Sequence, residues 1–93
     1  MKTYEMLYVL DAAIADEAKE ALVSKLEGII KSNGGKVVST DKWGVKKLAY
    51  PINYKPDGYY VLTTFEAESA VVKELDRVSG LTAEVLRMMI TKK

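Results

Sequence analysis

The sequence predicts an α+β domain in which a four-stranded antiparallel sheet carries two helices on one face. Two observations lead to this class. Segments with strand-type alternation and segments with helix-type periodicity follow one another in the order βαββαβ. Right-handed crossovers fold that order into a sheet with strand order 4-1-3-2. The chain of 93 residues is long enough for one domain, expected to span residues 1–93.

The first strand is expected at residues 2–10. Leu7 and Val9 are apolar although they lie on the less apolar parity, and two apolar faces favour a central place in the sheet. The even-numbered positions form the set expected to face the core: Tyr4, Met6, Tyr8 and Leu10.

A helix follows, with Asp16 as its expected N-cap. The run Ser32-Asn33-Gly34-Gly35 ends it, because glycine and asparagine adopt the left-handed conformation found after helices. Apolar residues recur at helical spacing and predict its buried stripe: Ala18, Leu22, Leu26, Ile29 and Ile30.

The second strand is long and is expected at residues 36–52. Gly44 in its middle indicates a bulge or a sharp bend. Pro51 cannot donate a ladder hydrogen bond, so it indicates an edge strand or a strand end.

A turn is predicted at residues 53–58, because Pro56-Asp57-Gly58 combines a proline that fixes φ with a glycine that permits positive φ. Such a short connection predicts an antiparallel hairpin with a third strand at residues 59–65. A second helix at residues 66–79 and a last strand at residues 84–91 complete the order.

Composition argues against catalysis. The chain has no cysteine and no histidine, so the commonest general base and the commonest sulfur and nitrogen metal ligands are missing. Lys46 and Lys47 are adjacent, and adjacent strand residues point to opposite faces, so they do not form a catalytic pair. We therefore expect no enzyme activity, no cofactor, no metal site and no small-molecule substrate. No apolar run approaches the ~20 residues that cross a membrane, so no membrane partner is expected.

Basic and acidic residues concentrate in different parts of the chain, although the net charge is only +1. Residues 35–56 carry five lysines and one aspartate, a balance of +4, whereas residues 66–77 carry four acids and two bases, a balance of −2. Lysines and exposed aromatics are features that bind nucleic acids, and Trp43, Tyr54 and Tyr60 are candidate stacking surfaces. Lysines on an edge strand also prevent aggregation, so charge alone leaves both interpretations open.

The stretch GVKKLAYPI at residues 44–52 closely resembles the signature of the bacterial small-subunit ribosomal protein S6 family, which has a glycine, two basic residues, Leu-Ala-Tyr, any residue and Ile. The resemblance extends over essentially the whole chain. Tyr4-Glu5, Asn33-Gly34-Gly35, Gly58-Tyr59-Tyr60 and Arg87 all fall where the family has similar residues.

The resemblance implies a ferredoxin-like fold and a structural role in the small ribosomal subunit. It also implies binding to the central domain of small-subunit ribosomal RNA together with ribosomal protein S18, and hence a cytoplasmic, ribosome-associated protein. The alternative from the residues alone is a ferredoxin-like dimerisation or regulatory module that does not bind RNA.

Two sets of site residues are expected. Partner contacts are assigned to the aromatics Trp43, Tyr50 and Tyr60. RNA contacts are assigned to basic residues on the strands, of which the lysine pair and Tyr50 match the family signature: Lys2, Lys46, Lys47, Arg87 and Lys92.

Overall fold

The computed structural model describes residues 2–52 and 55–93, together with their side chains except those of residues 49–52 and 55. Six elements follow one another in the expected order. They are β1 (Lys2–Asp11), α1 (Asp16–Ser32), β2 (Lys36–Ile52), β3 (Lys55–Ala67), α2 (Ser69–Leu81) and β4 (Val85–Lys92). The strands form one antiparallel sheet in the order β2-β3-β1-β4, which confirms the predicted topology.

The core lies between the sheet and the two helices. β1 contributes its even-numbered side chains, as predicted, and β3 contributes Val61 and Phe65. The rings of Tyr4 and Phe65 stack with centroids 5.6 Å apart. The helices close this layer with five buried aliphatic side chains: Val23, Leu26, Ile30, Val71 and Leu75.

The start of α1 differs from the prediction. Ala15 is the N-cap residue, and Asp16 is instead the first helical residue, where its charge still favours the helix dipole. Ala18, which was predicted to belong to the buried stripe, is exposed, whereas Val23 and Lys19, which were not, are buried. Lys19 can be buried against β3 because its ammonium group has two partners: its Nζ is 3.4 Å from Asp16 Oδ1 and 5.1 Å from the centre of the Tyr59 ring.

The predicted turn at Pro56-Asp57-Gly58 is wrong. These residues belong to β3, in which Gly58 pairs with Lys46 and Asp57 pairs with Lys47. The other two residues of the predicted turn, 53 and 54, lie outside the described residues. The third strand also runs on to Ala67, so α2 begins at Ser69 and not at residue 66.

Gly58 is required by packing. A Cβ atom at this position would lie 2.2 Å from Val9 Cγ1 and 3.2 Å from Leu48 Cδ2. Val9 is β-branched, so it has little freedom to turn away. This close approach explains why residue 58 is a glycine, although the sequence analysis assigned it to a turn.

Two hydroxyl groups are buried in the core. Tyr8 Oη and Thr63 Oγ1 have no hydrogen-bond partner of standard geometry among the described residues. Burial raises the pKa of the Tyr8 phenol, and the Thr63 hydroxyl acts in the opposite direction. Tyr8 therefore stays neutral in the folded protein throughout the physiological range.

Alanine substitutions of Gly58 and Gly28 compare a glycine that packing requires with one that has free space around it. We expect Gly58→Ala to lower the free energy of unfolding by about 1–3 kcal/mol, because it overpacks the contact with Val9. The matched control is Gly28→Ala in α1, where a Cβ atom meets nothing within 4 Å. Alanine favours a helix interior, so this variant should be more stable by up to about 1 kcal/mol. Urea denaturation measures both, and equal stability of Gly58→Ala and the parent protein would contradict the packing argument.

Candidate protein-binding and RNA-binding surface

A β-bulge at Gly44 organises the uncovered face of the sheet. Gly44 has φ of +85°, and the pairing of β2 with β3 shifts register between Lys42 and Gly44. In a regular strand, residues three apart lie on opposite faces. The extra residue of the bulge places Trp43 and Lys46 on the same face. The bulge expected from the sequence is thereby confirmed.

Trp43 is the centre of a small cluster on this open face. Its ring stacks on Tyr60, with centroids 6.4 Å apart and planes 8° from parallel. Lys46 Nζ lies 5.5 Å from the centre of the Trp43 ring, a cation–π contact. The indole N–H donates to Asp41 Oδ2 at 3.1 Å. Three contacts therefore hold Trp43, although the residue remains 42% exposed.

Apolar side chains continue from this cluster across the sheet. Leu62 of β3 lies opposite Leu7 of β1, and Leu7 lies opposite Met89 of β4, which is 46% exposed. In the neighbouring row, Val9 lies between Tyr60 and Arg87. We call this set the open-face patch; Leu7, Trp43, Tyr60, Leu62 and Met89 form its surface, and Val9, which is only 4% exposed, forms its buried floor. In the sequence, the contribution of β1 to this patch was indicated only by the apolar character of Leu7 and Val9.

The opposite side of β2 is attached to α1 by polar contacts. Lys42 Nζ lies 2.5 and 2.6 Å from the two carboxylate oxygens of Glu20, and this hydrogen bonding raises the pKa of Lys42. The Thr40 hydroxyl donates to Glu27. Lys42 is therefore neutralised within the protein and adds nothing to the charge of the open face.

The five basic residues assigned to RNA do not form one patch. Lys46 pairs with Gly58, and Arg87 pairs with Val9, so both lie toward one end of the sheet and on its open face. Lys47 is beside Lys46 but points to the other face. Lys2 and Lys92 lie toward the other end of the sheet: Lys2 is about 24 Å along β1 from Val9, and Lys92 is about 17 Å along β4 from Arg87.

The expected partner contacts have different outcomes. Trp43 and Tyr60 come together on the open face. Tyr50 lies on β2, but its side chain is not among those described, and Tyr54 lies outside the described residues. Asp41 is a member of the cluster that the sequence analysis did not identify, because its bond to Trp43 depends on the geometry of the bulge.

Other kinds of site are not found in the described part of the chain. Within residues 2–52 and 55–93, no group of three or more acidic residues could hold a metal ion. No helix in these ranges is long and apolar enough to cross a membrane.

Comparisons with known proteins agree on the class of protein. The small ribosomal subunit protein bS6 of Thermoanaerobacter pseudethanolicus is 41% identical over 92 residues, which cover 99% of this chain and 97% of that protein. The bS6 protein of Clostridium novyi is 42% identical over 90 residues, which cover 97% and 95%. The crystal structure of 30S ribosomal protein S6 from Thermotoga maritima has a TM-score of 0.94 and 25% identity, and covers 99% of this chain and 87% of that one.

The fold and these similarities define a ribosomal protein of the small subunit with a ferredoxin-like sheet, and not an enzyme. The family model for ribosomal protein S6 matches residues 3–92. The chain belongs to the ribosomal protein S6 family, which confirms the resemblance seen in the signature.

The stacking of Trp43 on Tyr60 can be tested because Trp43 is the single tryptophan of the chain. We expect Tyr60→Leu to increase acrylamide quenching of Trp43 fluorescence and to cost about 0.5–1.5 kcal/mol of stability. The matched control is Tyr59→Leu, since Tyr59 lies next to it on the helix-covered face. This control should leave quenching unchanged. Equal quenching in the two variants would show that Tyr60 does not shield Trp43.

Proposed function

We propose that the chain is a structural component of the small ribosomal subunit that binds the central domain of small-subunit ribosomal RNA together with ribosomal protein S18. The observation that supports the shared binding most strongly is the open-face patch. It joins two ordered aromatic rings to a row of apolar side chains. Exposed apolar surface of this kind, bordered by charged residues, is typical of a protein–protein contact.

The ring cluster is suited to a protein partner. Trp43 and Tyr60 are held in place before binding, so little side-chain entropy is lost when a partner covers them. Asp41 and Lys46 place opposite charges at the border of the patch, where they orient a partner. We therefore assign the Trp43 side of the sheet to ribosomal protein S18.

The distribution of charge supports shared RNA binding. With a net charge of +1, the chain alone neutralises few phosphates. Its candidate RNA residues occupy two ends of the sheet, about 17–24 Å apart, and each end offers only a few cations. We infer that a basic partner bound to the open face joins these ends into one RNA-binding surface. Affinity for RNA then depends on the partner.

Filter binding of a central-domain RNA fragment tests this function. With S18 present, RNA affinity should be high and should fall steeply with salt; without S18, it should be weak. Lys46→Ala/Lys47→Ala should lower the slope of log affinity against log salt by about 2 if both lysines contact phosphates.

The matched control is Lys25→Ala/Lys31→Ala, which removes two exposed lysines of α1. This variant should bind like the parent protein. Binding by the Lys46/Lys47 variant that equals the parent would remove those lysines from the RNA site. A concentration-dependent dimer with no RNA binding, even with S18, would favour the dimerisation module instead.

A further inference from the structure

The outer edge of β4 is the second of the two sheet edges, and it differs from the edge at β2. An edge strand exposes unpaired backbone N–H and C=O groups that can accept another strand. The β2 edge is interrupted by bulges and carries several lysines, features that prevent such pairing. From Met88 to Thr91, β4 carries no charge, glycine, proline or bulge, and its irregularity lies earlier, between Val85 and Arg87.

The pairing of β4 with β1 determines which backbone groups face outward. The Lys93 N–H donates to the Thr3 carbonyl at 2.9 Å. Every second residue counted back from Lys93 therefore directs its backbone N–H and C=O groups toward β1. The residues between them, Met88, Ile90 and Lys92, direct their N–H and C=O groups away from the sheet.

A groove runs beside this edge, between β4 and α2. Its larger depression has a volume of about 220 Å³ and is lined by Val72, Lys73, Asp76, Met88 and Ile90. A second depression of about 190 Å³ continues it and shares Asp76 and Met88. The Ser79 hydroxyl lies 3.2 Å from the Met88 sulfur and ties β4 to α2 where the two depressions meet.

We propose that the β4 edge binds an extended segment of another protein as a fifth strand, with alternate apolar side chains in the α2–β4 groove. Strand addition obtains affinity from backbone hydrogen bonds and specificity from pockets that accept every second side chain. Met88 and Ile90, whose backbone groups face outward, carry their side chains on the groove side of the sheet. Residues of an added strand that lie directly opposite them would therefore place their side chains in the same groove. This site lies outside the open-face patch.

The positive charge of β4 predicts that the bound segment carries acidic residues at its two ends. Residues 85–93 contain Arg87, Lys92 and Lys93 and no acidic residue. In antiparallel pairing, a segment of seven residues aligned with residues 87–93 would place its last residue opposite Arg87 and its first opposite Lys93. Acidic residues at these two positions form cross-strand pairs of opposite charge.

The same charges argue against a second copy of this chain as the occupant. When two β4 edges pair antiparallel with Ile90 at the centre, the residues whose backbone groups face outward lie opposite one another, as hydrogen bonding requires. It also puts Arg87 of each copy opposite Lys93 of the other, and like charges directly opposite each other destabilise a strand pair. An acidic, alternating segment of a different protein fits the edge better.

The test uses the peptide acetyl-DVTVTVE-amide and the ¹⁵N-labelled chain. We expect the peptide to shift the amide signals of Met88, Ile90 and Lys92 and those around the groove. N-methylation at the fourth peptide residue, opposite Ile90, removes a hydrogen bond and should weaken binding about tenfold. N-methylation at the third residue is the matched control, because that N–H points away from β4, and binding should stay within about twofold.

A pair of protein variants gives an independent test. Lys92→Pro removes an outward N–H at the end of the strand, whereas Lys92→Thr removes only the charge. The proline variant should bind the peptide more weakly than the threonine variant. Equal effects of the two N-methyl peptides, or shifts on the open-face patch instead of β4, would overturn the proposal. A central-domain RNA fragment that shifts the Met88 and Ile90 amides and displaces the peptide would assign the edge to nucleic acid and would also overturn the proposal, whereas a shift of Lys92 alone is what its proposed RNA contact predicts.

Discussion

The positive φ of Gly44 is the constraint on which the open face depends. It inserts one extra residue into β2 and so brings Trp43 and Lys46 to the same side of the sheet. Without the bulge, the ammonium group would lie on the opposite face and the indole would lose a contact. A side chain with a Cβ atom is strained at this φ even though nothing crowds the position. The glycine of the family signature therefore has a definite structural role.

The same strand performs two tasks on its two sides. Toward the helices, Lys42 and Thr40 bind Glu20 and Glu27 of α1, so their polar groups are satisfied within the fold. Toward the open side, β2 presents a ring, a cation and a carboxylate next to the apolar side chains of β3 and β1. Attachment to α1 orders the strand, and that order is what allows its other side to present a fixed surface.

Much of the fold followed from the sequence because it depends on short-range patterns. Period-two alternation in β1 identified its core residues, and the element order gave the sheet order. Helical spacing in α1 identified Leu26 and Ile30 but included the exposed Ala18 and missed the buried Val23. The turn at Gly58 was predicted wrongly because a glycine that is needed for close packing looks the same in sequence as one that is needed for a turn. The Trp43–Lys46 contact was missed for a related reason. Gly44 indicated a bulge, but only the register between β2 and β3 shows which side chains it brings together.

The fold itself does not determine the function. We propose that the side chains of the open face, and not the fold as such, provide the binding of ribosomal protein S18. The most direct measurement is the change in amide and indole ¹⁵N–H signals of this chain when S18 is added. The claim predicts large shifts for the Trp43 indole, Lys46 and Tyr60 and small shifts in α1 and α2. Shifts confined to the helices would contradict it.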